Sequence, residues 1–195
     1  MGNANDKAGR FMRALKVNPV IPAVRGPDAD LERALAGDHA AIFVLGGDVF
    51  RVLKSIRRRP HRRPHIFVNV DMVGGVAGDP SGIRFLSREV DGIISTHRHV
   101  VGLAKGNGML TVQRLFAIDT SAVERGLRVL RQADPDAVEI LPGLAFPEIV
   151  ESYRAGLNKP ALAGGLIKDR ATAASILSAG AVGVSTSHHR LWKLA

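Results

Sequence analysis

The stretch from 137 to 185, AVEILPGLAFPEIVESYRAGLNKPALAGGLIKDRATAASILSAGAVGVS, decides the fold class. Three short apolar runs, Ala137–Leu141, Pro160–Ala163 and Ala181–Ser185, alternate with two amphipathic stretches, Pro147–Ala155 and Ala171–Ser178. Short runs of this kind read as strands and the longer stretches as helices, so the segment predicts consecutive parallel βαβ units. Outward toward the N-terminus the pattern repeats at Val20–Val24, Ala41–Leu45, Ile66–Val70, Gly92–Ser95 and Leu110–Phe116. Helical stretches lie at Asp28–Ala36, Val49–Arg58, Ile83–Glu89 and Ser121–Gln132. The strand ends recur every 21 to 25 residues.

Eight near-equal units predict an α/β protein with a compact (β/α)8 TIM-type barrel, shorter than the ~250 residues usual for that fold. Residues 1–18 are expected to form an N-terminal arm or short capping helix, and residues 19–195 the single barrel domain. Gly37, Gly106, Gly156 and Gly180 are placed to end helices in a left-handed residue. Ser121 and Glu124 have the spacing of a capping box.

The chain has 195 residues, a formal net charge of +9 and no cysteine. No cysteine means no disulfide and no thiolate metal site. No apolar run is long enough to span a membrane. The N-terminal MGNANDKAGRFMRALK lacks the apolar core of a secretory signal, so a cytoplasmic location is expected. The charge is concentrated. Between Val49 and Val70 there is no acid, while Arg51, Lys54, Arg57, Arg58, Arg59, Arg62 and Arg63 leave the rest of the chain near +2. A local basic patch suits an anionic partner, and with few aromatic residues any nucleic-acid contact would rest on phosphates.

A (β/α)8 barrel carries its site at the strand C-termini. There the sequence places Arg25, Gly46-Gly47, Asn69, Asp71, Ser95, Thr96, Gln113, Arg114, Glu139, Gly164-Gly165 and Ser185-Thr186-Ser187. Loops after the seventh and eighth strands often bind phosphate, so Gly164, Gly165, Ser185, Thr186 and Ser187 form the candidate phosphate site. Glu139 lies between Val138 and Ile140, and alternation points it into the barrel, where a carboxylate needs a cation or a ligand hydroxyl. Asp71, Glu139, Arg25 and Arg114 are thus candidates for holding a polyol, or for a buried ion pair. His97-x-His99 and His188-His189 lie on opposite sides of a barrel and have no HExxH companion, so no metal site is assigned. No P-loop or dinucleotide fingerprint occurs.

Several motifs in order resemble the glycerol-3-phosphate-responsive antiterminator family of glycerol-uptake regulators. They are Ile21-Pro22-Ala23-Val24-Arg25, Gly92-Ile93-Ile94-Ser95-Thr96, Ala104-Lys105-Gly106 and Gln113-Arg114-Leu115-Phe116. They continue with Asp119-Thr120-Ser121-Ala122, Glu139-Ile140-Leu141-Pro142-Gly143, Ala163-Gly164-Gly165-Leu166-Ile167, Ser185-Thr186-Ser187 and Leu191-Trp192-Lys193. The resemblance covers about residues 19–194. It implies a barrel that binds glycerol 3-phosphate, acts on leader mRNA and prevents premature termination of glycerol-utilisation transcripts. Two departures stand out. The third-strand motif, usually His-x-Asp-Leu, reads Asn69-Val70-Asp71-Met72, and the last loop carries His188-His189.

The resulting expectation is a non-enzymatic, glycerol-3-phosphate-sensing regulator without a cofactor, free to form a homo-oligomer. Its RNA contacts are expected at Arg57, Arg58, Arg59, Arg62 and Arg63. The alternative is an enzyme acting on a small phosphate ester, such as an isomerase, aldolase or phosphodiesterase, because the fold hosts many chemistries. Against it, Lys105 and Lys168 lie in helix or loop positions rather than inside a strand.

Overall fold

The computed structural model describes residues 4–58 and 64–193. Eight parallel strands close into a barrel in sequence order: β1 Val20–Val24, β2 Ala41–Val44, β3 His65–Asn69, β4 Gly92–Ser95, β5 Leu110–Phe116, β6 Ala137–Leu141, β7 Ala161–Gly164 and β8 Gly183–Thr186. The register closes with Val20 opposite Val184 and Ile21 opposite Ser185. Helix α1, Ala4–Val17, precedes the barrel. The others are α2 Ala29–Leu35, α3 Val49–Arg57, α4 Pro80–Leu86, α5 Arg98–Gly106, α6 Thr120–Ala133, α7 Phe146–Gly156 and α8 Arg170–Ser178.

Side-chain alternation along each strand splits the core in two. Ile21, Phe43, Phe67, Ile94, Val112 and Leu162 pack inside the barrel with Phe11 and Leu15 of α1. Val24, Val44, Val68, Ile93, Val138 and Ile140 pack outward against the helices. Phe11 meets the His65 and Phe67 rings at centroid distances of 5.7 and 5.0 Å, so α1 covers the end where the strands begin. That apolar plug leaves the opposite end of the lumen to polar side chains.

Helix ends differ in part from the sequence reading. Asp119, not Ser121, caps α6; its carboxylate accepts from the Ala122 amide at 2.7 Å, while the Ser121 hydroxyl donates to the same carboxylate. A carboxylate is the stronger acceptor for an orphan helix N–H, and that bond holds Asp119 below the usual carboxylate range. Among the four glycines expected to end helices left-handed, only Gly180 does (φ 102°). Asp134 takes that conformation after α6, and α5 closes on Asn107 with φ −100°.

Candidate functional site

The C-terminal ends of the strands open into a cavity of about 550 Å³, an ordinary size for a small-molecule site. Its floor is an ion pair built by strand register. Arg114 on β5 lies opposite Glu139 on β6, and Ser185 on β8 lies opposite Gly164 on β7. Arg114 Nε donates to Glu139 Oε2 at 2.7 Å, and Ser185 Oγ donates to Oε1 at 2.5 Å. The Glu139 side chain is 1% exposed and that of Arg114 10%. Glu139 is therefore a buried ion-pair member, and it also lines the cavity. Each carboxylate oxygen retains capacity for another hydrogen bond.

Gly164 makes this arrangement possible without lining the cavity itself. A Cβ there would stand 2.5 Å from Glu139 Oε1 and closer still to Ser185 Oγ. Its missing side chain thus leaves room for the ion pair. Gly165 does line the cavity, followed by Leu166, Ile167 and Lys168. Gly165 and Leu166 are both left-handed (φ 77° and 62°), and the chain turns there beside the cavity. Among the described residues, the amides of Gly165, Leu166 and Ser187 donate to no protein acceptor. Leu166 stores about 1–3 kcal/mol of backbone strain in that conformation.

Thr186 has a different part. Its hydroxyl donates to the Ile167 carbonyl at 2.8 Å and accepts from the His188 amide at 3.1 Å. It joins the loops after β7 and β8 with its own hydrogen-bonding capacity largely engaged. The Trp192 indole N–H donates to the Thr186 carbonyl at 2.8 Å. After β8 the chain forms a short 3-10 turn, His189–Leu191.

Arg25 lines the cavity, as expected; Asp71 does not. Its carboxylate accepts from Ser95 Oγ, the Thr96 amide and Thr96 Oγ1 at 2.7–2.8 Å, clamping the loop after β3 to that after β4. Asn69, one turn of the pleat earlier, supports Asp71 by accepting its amide proton at 3.0 Å. Gln113 is also outside the cavity, buried with its Nε2 3.4 Å from the Thr96 carbonyl. Lining residues that the strand-end reading passed over include Met72, Leu166, Lys168 and His188. Lys168 carried a signal, standing three residues after the glycine pair and just before the α8 cap Asp169.

The opposite end is basic. Arg57 ends α3 and forks onto Glu89, with Nε donating at 3.0 Å; Arg58 follows, exposed. Arg59, Arg62 and Arg63 lie outside the described residues. Helix α1 adds Arg10, Arg13 and Lys16 on its exposed side, with Arg10 paired to Asp6. Among the described residues no three His, Asp or Glu gather as a metal site, and no helix is long and apolar enough to cross a membrane.

The chain is 31% identical over 187 residues to the uncharacterized protein YgcP of Escherichia coli K12, covering 95% of this chain and 97% of that one. It is 31% identical to a glycerol uptake operon antiterminator regulatory protein from Listeria monocytogenes. Their structures superpose with a TM-score of 0.81 over 90% of this chain and 95% of that one. A glycerol uptake operon antiterminator-related protein from Thermotoga maritima, also 31% identical, matches at 0.76 over 89% and 97%. The family model of glycerol-3-phosphate responsive antiterminators matches residues 20–192, and the chain belongs to that family.

Proposed function

We propose that the protein binds glycerol 3-phosphate in the C-terminal cavity and, according to its occupancy, binds the leader mRNA of glycerol-utilisation genes in the cytoplasm. The phosphate would meet the amides of Gly165, Leu166 and Ser187, with Lys168 and Arg25 supplying charge. The glycerol hydroxyls would reach Glu139 and Arg114. The observation that carries the reading is a buried Arg114–Glu139 pair flooring a cavity whose rim presents unengaged amides. That combination matches a small molecule with an anion at one end and hydroxyls at the other. Glu139 is the only carboxylate among the described residues that line the cavity, and both its oxygens already hold a donor. It is poorly placed for proton transfer, which favours sensing over turnover without a cofactor.

RNA would meet the basic end through Arg57, Arg58, Arg59, Arg62 and Arg63. Thermal unfolding with glycerol 3-phosphate, glycerol and inorganic phosphate tests the ligand: stabilisation is expected chiefly with the first. No shift at millimolar glycerol 3-phosphate overturns the sensor. Binding of leader RNA across a salt series, with the five arginines replaced by alanine, tests the surface; the variant should lose both affinity and salt slope.

A further inference from the structure

A second cavity of about 330 Å³ lies outside the barrel, against the turn that follows β8. Three rings meet there. Trp192 has His39 on one side and His189 on another, each edge-on with centroids 6.3 Å away and planes at 77°. Gly37 makes room for this, because a Cβ at that position would collide with the His39 imidazole. His39 Nδ1 is buried and without a hydrogen-bond partner among the described residues. Burial outweighs the nearby Asp38 and holds the His39 pKa below its ordinary value. A neutral imidazole has one donor and one acceptor, and the buried Nδ1 leaves one of them unused.

Charged residues complete the lining, the cations Arg33 and Lys193 and the acid Asp38. Arg33 is paired with Asp30 at 2.9 Å, whereas Lys193 is exposed and has no acidic partner among the described residues. Asn18, directly after α1, forms another wall. A simple anion would need no ring cluster, and an apolar ligand would need neither Lys193 nor an unpaired ring nitrogen. A planar heteroaromatic ring with an attached phosphate uses all three features. We infer that this cavity is a second binding site and that it takes a nucleotide, either free or as one residue of an RNA strand. The inference stands apart from the glycerol 3-phosphate site and does not depend on it.

Trp192 is the only tryptophan in the chain and lines this cavity, so intrinsic tryptophan fluorescence reports on it. The full chain is titrated with the four ribonucleoside 5′-monophosphates, with short oligoribonucleotides and with inorganic phosphate. A saturable change is expected with a nucleotide or an oligonucleotide, and none with phosphate. Saturation by a monophosphate assigns a free nucleotide; response to oligonucleotides alone assigns a strand. His189 and Lys193 are exposed, and their replacement spares the core. His189→Ala should weaken binding about fivefold or more. Lys193→Ala should weaken oligonucleotide binding and lower its salt slope by roughly 0.7. A silent tryptophan with every probe overturns the inference, as does a response that both variants leave unchanged. If RNA binds through the arginines while Trp192 stays silent, this site alone fails; a nucleotide response without arginine dependence removes only the RNA surface proposed above.

Discussion

Replacing Glu139 tests the floor of the site most directly. Glutamine keeps the shape and both hydrogen bonds, since its oxygen can accept from Arg114 Nε and its amide can donate to a turned Ser185 hydroxyl. What it removes is the charge. A hydrogen bond to a charged group contributes ~1.5–3 kcal/mol and a neutral one ~0.5–1.5, so the Glu139→Gln loss is about 1–2 kcal/mol. Alanine removes the partner altogether. Breaking a buried pair costs ~3–5 kcal/mol, and the lower end applies because Arg114, 10% exposed, still faces the cavity. In a chain of this length each kcal/mol moves Tm by roughly 2–4 °C, giving about 2–8 °C for Gln and 6–12 °C for Ala.

Thermal and urea unfolding at neutral pH measure both, with the pair Arg114→Met and Glu139→Met completing a double-mutant cycle. Removing both charges should cost less than the two single losses together, because neither charge is then stranded. Additive losses, or a Glu139→Ala variant within about 0.5 kcal/mol of wild type, would refute the view that this pair organises the floor. The ligand supplies a second readout. Glu139→Gln should reduce the thermal shift from glycerol 3-phosphate more than that from inorganic phosphate, since only the former brings hydroxyls to the carboxylate.

Gly164→Ala forces a methyl against Glu139 and Ser185 and should cost about 1–3 kcal/mol by urea midpoint, with loss of the ligand-induced shift. Thr186→Val deletes the donor to Ile167 and the acceptor for His188, costing about 1–3 kcal/mol and weakening phosphate-dependent stabilisation. Lys168→Ala should weaken glycerol 3-phosphate binding without changing Tm of the free protein, measured by calorimetry. Asp119, Asp169 and Asp134 are all held below their ordinary value, by the Ala122 amide, the Thr172 amide and Lys105 respectively. Groups shifted downward stabilise the fold above their unfolded pKa, and that contribution vanishes as pH falls through the lower folded value. Tm should therefore decline below about pH 4, and less steeply in Asp119→Asn.

Most of the barrel was readable because the same period-2 and helical patterns recur at nearly constant spacing, and loops this short leave the units few ways to assemble. Glu139 was legible for the same reason: a lone carboxylate between Val138 and Ile140 has to face the lumen. Asp71 was not. Strand-end position predicts which end of the barrel a residue occupies, but the Ser95 and Thr96 groups that capture its carboxylate belong to a neighbouring loop. Gly164 was placed correctly and its role missed, since the atoms it makes way for come from β6 and β8. Ser121 shows the local version of that limit: the capping spacing was present, yet Asp119 two residues earlier is the better acceptor.

The proposed ligand and RNA surfaces lie at opposite ends of the barrel, so any influence of one on the other needs an element that both can bias. Thr186 is the nearest such element to the cavity. Its hydroxyl ties together the two loops that would hold phosphate, and its carbonyl holds Trp192, whose ring walls the second cavity. That cavity in turn adjoins the end of α1 through Asn18, and α1 carries cations across the barrel's basic end. Allosteric coupling energies typically run to ~1–3 kcal/mol. The Thr186 hydrogen bonds are therefore of the size that such a coupling needs.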